Sequence, residues 1–242
     1  DLTAQDLRQR LPVQSYEQFQ PWIQRMLRGE ADVLCPGKVR YFAKSSGTTS
    51  QRSKYLPVPA ENLHGCHLKG GHDAVALWFD QQPHSRLFDG ARAILMGGSL
   101  PRYDQVAATQ VGDVSAIMLQ HLPFYAAPFL TPDISIALLP DWEAKIEQIA
   151  QQALRQRISQ LGGVPTWTLV LLQKMLEISG ATNCSEILPH VELYAHGGVD
   201  FTPYRAQFDA LFPAGPPAYR NTYSASEGFF ATQYTADSDA MA

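Results

Sequence analysis

The chain has 242 residues, 45% of them hydrophobic and 17% charged, and carries a net charge of −4. That balance suits a substantial buried core in one large domain or two small ones, and the lack of any basic block argues against nucleic acid as a partner. No apolar run approaches the ~20 residues of a spanning helix, so no membrane partner is expected either.

The opening, Asp6 to Gly29, reads as two helical pieces separated by Leu11-Pro12-Val13. In the second piece Phe19, Ile23, Met26 and Leu27 recur at helical spacing, with Ser15 as N-cap and Gly29 as stop. Tyr41-Phe42-Ala43 then reads as a short strand running into Lys44-Ser45-Ser46-Gly47-Thr48-Thr49, with Lys54 just beyond. Gly47 lets the backbone come close to an anion. Exposed N–H groups and the surrounding hydroxyls can then wrap phosphate oxygens. A Ser/Thr-rich surface turn has the same composition, and this segment alone leaves both readings open.

Asn62 to Phe79 is a further helix, weakened by Gly70-Gly71. Inside it His64-Gly65-Cys66-His67, with His72, has zinc-ligand residue types but no second paired half. Cys35, Cys66 and Cys184 are scattered, without a C-x-x-C pair, and read as free thiols of a reducing cytoplasm. Pro140-Asp141-Trp142-Glu143 opens a helix expected to run to about Leu161, with Trp142, Ile146, Ile149, Ala153 and Leu154 on one side. Another starts at Pro165 and continues through Trp167–Leu172 to Met175 and Leu176. It is apolar nearly all round and is expected to be buried.

Three more short apolar runs end in turn residues: Ala93–Met96 at Gly97-Gly98-Ser99, Val191–Ala195 at His196-Gly197-Gly198, and Ala218–Tyr223 at Ser224-Ala225-Ser226-Glu227-Gly228. Apolar strands alternating with helices predict an α/β fold with mainly parallel sheets flanked by helices. Ligands on such sheets sit outside the carboxyl ends of the strands, which is where these turns fall. The first residues include no initiator Met, and Ala236–Ala242 ends in an acidic loop with no closing element. The chain is therefore expected to be part of a longer one.

In order, Ser-Ser-Gly-Thr-Thr, the Gly-Gly pair at 197–198 and Tyr-Ser-Ala-Ser-Glu at 223–227 resemble the adenylate-forming superfamily of acyl-CoA synthetases, luciferases and adenylation domains. Finer features resemble one branch, the auxin-responsive-promoter family of acyl acid amido synthetases, and its bacterial members in particular. These are Leu34-x-Pro36-Gly37, Lys54-Tyr55-Leu56-Pro57-Val58, Gly163-Val164-Pro165-Thr166-Trp167, His196-Gly197-Gly198-Val199 followed by Pro203-Tyr204, and Ser226-Glu227-Gly228-Phe229-Phe230. The resemblance covers nearly the whole chain. It implies the layered N-terminal domain of the adenylate-forming fold, with residues 1–242 as a single truncated adenylation domain. The Tyr-Arg-x-Gly-Asp-type segment and the small C-terminal domain of such proteins are absent from this sequence. Gln51 stands where many relatives carry glycine.

The activity implied is ATP-dependent attack of a carboxylate on the α-phosphate, giving an acyl-adenylate that is passed to an amino acid. Its partners are then small carboxylic acids, amino acids and the missing domain. Ser45, Ser46, Gly47, Thr48 and Thr49 are assigned to the phosphates of ATP. Lys54 is either a phosphate ligand or a solvated lysine at a strand end. Glu227 is assigned to Mg²⁺, which on ATP wants one protein carboxylate beside phosphate and water oxygens; the alternative is a Glu capping a helix N-terminus. Gly197, Gly198, Tyr223 and Ser224 are the adenine candidates, against a plain tight turn and a core tyrosine. His196 reads as a catalytic group near the α-phosphate or as a structural histidine. Trp167, Val170 and Leu171 read as one wall of the acyl pocket or as core. Asp200 and Arg205 read as surface or cap residues.

Thioester formation on coenzyme A shares the first half-reaction. A serine hydrolase is disfavoured because Ser224 stands where the nucleophile elbow needs glycine two residues before Ser226. A nucleotide- or acyl-binding half without turnover is the non-catalytic alternative.

Overall fold

The computed structural model describes residues 3–45, 54–103, 108–235, 238, 240 and 241. Helices α1 (Ala4–Arg10) and α2 (Tyr16–Leu27) are separated at Pro12 as expected, and the Ser15 N–H donates to Gln18 Oε1 at 2.8 Å at the start of α2. Gly29, at φ 84°, takes the chain out of α2. Strands β1 (Tyr41–Ser45) and β2 (Lys54–Pro57) follow. A continuous helical rod comes next: α3 (Ala60–Asn62), a π segment (Leu63–Leu68) and α4 (Lys69–Gln81). Then come β3 (Arg92–Leu95), β4 (Gln110–Gly112) and α5 (Val114–Gln120). A 3-10 turn (Phe124–Phe129) leads into β5 (Leu130–Thr131) and α6 (Ile134–Ala137). The remainder is α7 (Trp142–Ala153), β6 (Ile158–Gly163), α8 (Pro165–Ser179), α9 (Cys184–Ile187), β7 (Leu193–Gly197), α10 (Thr202–Leu211), β8 (Ala218–Ala225) and β9 (Gly228–Thr232).

The strands form two sheets. The smaller has the order β2-β1-β4, with β1 antiparallel to β2 and parallel to β4. The larger has the order β5-β3-β6-β7-β8-β9, parallel throughout except for the terminal β8–β9 hairpin. Residues alternate between faces along each strand. Phe42 thus joins the cluster with Ile23, Met26 and Leu27 of α2, while Ala43 joins Val58, Leu63 and Ile117. One face of the larger sheet carries the main core, where Ile149 (α7), Leu171 and Met175 (α8) and Phe208 (α10) meet Ile158, Leu161 and Tyr194. Each fully buried side chain of this kind contributes about 1.5–3 kcal/mol. The other face packs Leu193 against Trp78 and Leu87. Helices cover both sides, as expected of a mainly parallel sheet.

The helical rod from 60 to 81 ties the sheets together. Leu63 packs on the smaller sheet and Trp78 on the larger. Gly70, which weakened the helix in the sequence, is needed there: a Cβ at this position would meet Phe229 Cδ1 of β9 at 2.4 Å.

Two expectations about elements are corrected. The helix opening at Pro140 ends at Ala153, and Ile158–Gly163, expected to lie partly within it, is a central strand. Ile158 to Leu161 is buried on both faces, so it shows no period-2 alternation and reads as a continuation of the apolar stripe. Phe19, placed on the buried stripe of α2, is 38% exposed, while Ile23, Met26 and Leu27 are buried. Among the described residues no helix is long and apolar enough to cross a membrane.

Candidate functional site

The parallel strands β3, β6, β7 and β8 bring their carboxyl ends to one edge of the larger sheet. Register aligns Leu95 with Gly162 and Gly162 with Ala195; one step on, Gly163 pairs with His196 and His196 with Asn221. At that edge Gly162-Gly163 and Gly197-Gly198 are half-buried or exposed and leave main chain accessible, whereas Gly97-Gly98 is buried. Two of these glycines leave no room for a side chain. A Cβ at Gly98 would meet Asp113 Oδ2 at 1.8 Å, and one at Gly197 would meet the Thr222 carbonyl at 2.3 Å. Open carboxyl ends of this kind are where ligands of such sheets bind.

Ser45 closes β1 and pairs with Lys54 at the start of β2, so both ends of the hydroxyl-rich loop are anchored in the smaller sheet. Ser46, Gly47, Thr48 and Thr49, and Gln51 with them, lie outside the described residues. Lys54 holds its ammonium 5.3 Å from the Tyr16 ring centroid, a cation–π contact that leaves N–H donors for another partner.

Glu227 lies in the tight turn between β8 and β9, not at a helix N-terminus, which corrects the capping alternative. Its side chain is exposed. Its carbonyl accepts from Asn62 Nδ2 at 3.3 Å, and the next turn of the rod holds the hairpin through Cys66, whose sulfur accepts from the Phe229 N–H at 3.3 Å and lies 3.6 Å from the Phe229 carbonyl. The helical rod that follows β1 and β2 is thus the seat of the Glu227 turn. Among the described residues no group of three or more His, Cys, Asp or Glu converges to hold a metal. The four residues that suggested zinc are dispersed: His64 and His72 are exposed, Cys66 serves the hairpin, and His67 is fully buried. An isolated exposed carboxylate does fit a magnesium ion carried on a triphosphate, which needs few protein ligands.

Tyr223 is 56% exposed and lies beside Phe230, ring centroids 5.0 Å apart, so it is a surface aromatic and not a core tyrosine. Ser224, half-buried, follows it at an irregularity in the β8–β9 register. Gly198 adopts φ 82° at the end of β7.

His196 goes the other way. Strand alternation puts its side chain on the face of Tyr194, opposite Gly197, and it is 3% exposed, stacked on Phe201 with centroids 4.1 Å apart. Burial, with a smaller contribution from Arg205, pushes its pKa down to about 4. Its Nδ1 has no hydrogen-bond partner among the described residues. This histidine is a neutral member of the aromatic core beneath α10.

The three acyl-wall candidates separate. Leu171 is fully buried in the main core and offers no surface, a correction to its expected place. Val170 is 43% exposed. Trp167 is half-buried against Trp142, centroids 4.9 Å apart, at the start of α8. Asp200 does act as a cap-like residue, accepting from the Thr202 N–H at 3.0 Å, and Arg205 is exposed over the Phe201 and Tyr219 rings. A cleft of about 310 Å³ lined by Arg205, Asp209, Tyr219 and Arg220 reaches the main chain at Ala218. It opens at the amino end of β8, the far end of that strand from Ser224 and Glu227, and plays no part in this site.

Sequence reasoning missed Lys145. It is 2% exposed and donates to the Gly97 and Gly98 carbonyls at 3.3 and 2.9 Å. The signal was present, since a lysine falls inside the apolar stripe formed by Trp142, Ile146 and Ile149.

Residues 1–217 match the GH3 family N-terminal domain. No curated protein matches the chain. Among solved structures it is similar to the one titled AtGH3.15 acyl acid amido synthetase in complex with 2,4-DB, at 14% identity and TM-score 0.72 over 97% of this chain and 49% of that one. It is also similar to 2-hydroxyisobutyryl-CoA ligase in an open conformation with 2-HIB-AMP and CoA, at 10% identity and TM-score 0.58 over 99% of this chain and 49% of that one. At these identities the likeness is one of fold, and the chain spans about half the length of each.

Proposed function

The chain belongs to the GH3 family, and from that premise we propose that the protein containing it activates a carboxylic acid with ATP and conjugates it to an amino acid. The observation that carries this reading is the seating of the Glu227 turn, through Asn62 and Cys66, on the helical rod that follows β1 and β2. That contact ties a lone carboxylate of one sheet to the chain segment next to the hydroxyl-rich loop of the other.

In the first step a carboxylate oxygen attacks the α-phosphorus of ATP. A new P–O bond forms and pyrophosphate leaves. In the second, the amine nitrogen attacks the acyl carbon, AMP departs, and the nitrogen loses a proton. Nothing covalent is asked of the protein, so its work is alignment and stabilisation of developing negative charge. Ser45 to Thr49 and Lys54 bind the phosphates, Gly197, Gly198, Tyr223 and Ser224 receive the adenine, and Trp167 borders the acid. Glu227 would hold magnesium, which when bound would screen the charge of the triphosphate. The half of the protein beyond this chain closes the site and supplies the ribose contacts. Three free thiols suit a reducing cytoplasmic setting.

The test is acid-dependent exchange of labelled pyrophosphate into ATP by the full-length protein, across a panel of carboxylic acids. Glu227→Gln is expected to lower the exchange by roughly 100-fold or more. Unchanged exchange in that variant would remove Glu227 from the reaction, and no exchange with any acid would remove the reading itself. An acceptor panel of amino acids and coenzyme A then separates amide from thioester formation.

A further inference from the structure

Lysine is almost never fully buried unless its charge is met. Lys145 is 2% exposed; it donates to the main-chain carbonyls of Gly97 and Gly98, in the turn that ends β3, and the Asp113 carboxylate is near enough to favour its charge. The same turn is held by a second element as well, for the Gly98 N–H donates to Ser115 Oγ and the Ser99 N–H to Asp113 Oδ2, both at 3.2 Å. Lys145 reaches it from α7 on the larger sheet, and Asp113 and Ser115 from the start of α5 beside the smaller one. Residues 97–99 are therefore clamped between the two sheets at their carboxyl edge. Immediately upstream, the Met96 N–H donates to the Gly162 carbonyl at 3.0 Å. A Cβ at Gly163 would lie 3.3 Å from that of Met96. Gly163 leads through Val164 into α8, whose Trp167 packs on Trp142, three residues before Lys145.

We propose that Lys145 is a positioning residue for the carboxylic acid. It acts through the 97–99 turn, which it holds against the start of α8 where Trp167 borders the acid. The placement of the acid rests on the adenylation reading; the clamp itself does not. Without the ammonium, two buried carbonyls lose their donor and the turn must reorient to find another. The acid then meets a displaced wall, whereas the phosphates, held by the loop after β1, do not.

The test compares the full-length wild type with Lys145→Met, and with Lys145→Gln should the first fail to fold. Amide exchange is read by mass spectrometry, and pyrophosphate exchange by KM for acid and for ATP. Faster amide exchange confined to residues 97–100, with β6 unchanged, is expected. So is an acid KM raised roughly tenfold or more while the ATP KM stays within about twofold. Unaltered amide exchange at 97–100, or loosening spread evenly through β6, would overturn the clamp. A clamp that loosens with both KM values unchanged, or rising equally, would overturn the role toward the acid. Should the wild type exchange no pyrophosphate with any acid, the adenylation reading fails and with it the role toward the acid, while amide exchange still decides the clamp.

Discussion

His196 gives the sharpest stability prediction. Its imidazole is 3% exposed between Tyr194 and Phe201, and burial first, Arg205 second, depress its pKa from 6.5 to about 4. A proton that the unfolded chain binds more tightly than the folded one draws the equilibrium toward unfolding as pH falls. The stability due to the neutral imidazole is therefore complete above pH 6.5 and lost progressively down to about 4. The full loss is on the order of 3 kcal/mol, of which about 2 kcal/mol has gone by pH 5. His196→Phe keeps a ring against Phe201 and removes the proton site. Urea denaturation of wild type and variant between pH 7.5 and 5 is the assay. The wild type should lose about 2 kcal/mol more than the variant over that interval. Parallel pH profiles would refute the burial argument and reopen a solvent- or ligand-facing role for the histidine.

Leu171→Ala should cost about 2–5 kcal/mol by leaving a cavity in the main core; a raised KM for acid without lost stability would return Leu171 to the pocket wall. Gly70→Ala gains helix propensity of about 1 kcal/mol but forces a methyl into Phe229. A net loss of about 1–3 kcal/mol is expected, with reduced pyrophosphate exchange as the Glu227 turn lifts; a stabilised, fully active variant would show that the hairpin does not need this seat. Asp141→Ala removes the acceptor for the Ala144 N–H, which lies 2.7 Å from the carboxylate, at the start of α7. It should lower stability by about 1 kcal/mol, read as a shift in urea midpoint.

The strand tips were legible because each joins a short apolar run to glycine or serine, and the order of those tips carried the family likeness. Helices α2 and α8 were legible from spacing, a cap and a proline start. Strand β6 was not, because burial on both faces removes the alternation that marks a strand and the preceding helix supplies a similar apolar pattern. His196 sat beside two glycines in sequence, yet strand alternation turns it to the opposite face from Gly197. Tertiary contacts decided the rest. Nothing local says that Cys66 will hold the Glu227 hairpin, or that Gly70 is there to admit Phe229. Lys145 announced itself only as a misplaced charge, and its acceptors lie 47 and 48 residues away in the chain.

The central claim is attack at the α-phosphorus by a carboxylate. Incubating the full-length protein with ATP, magnesium, an active acid and hydroxylamine, and identifying the nucleotide released, tests it most directly. Acyl hydroxamate appearing in step with AMP and pyrophosphate is the predicted result. Hydroxamate accompanied by ADP and inorganic phosphate would mean attack at the γ-phosphorus, and would contradict it.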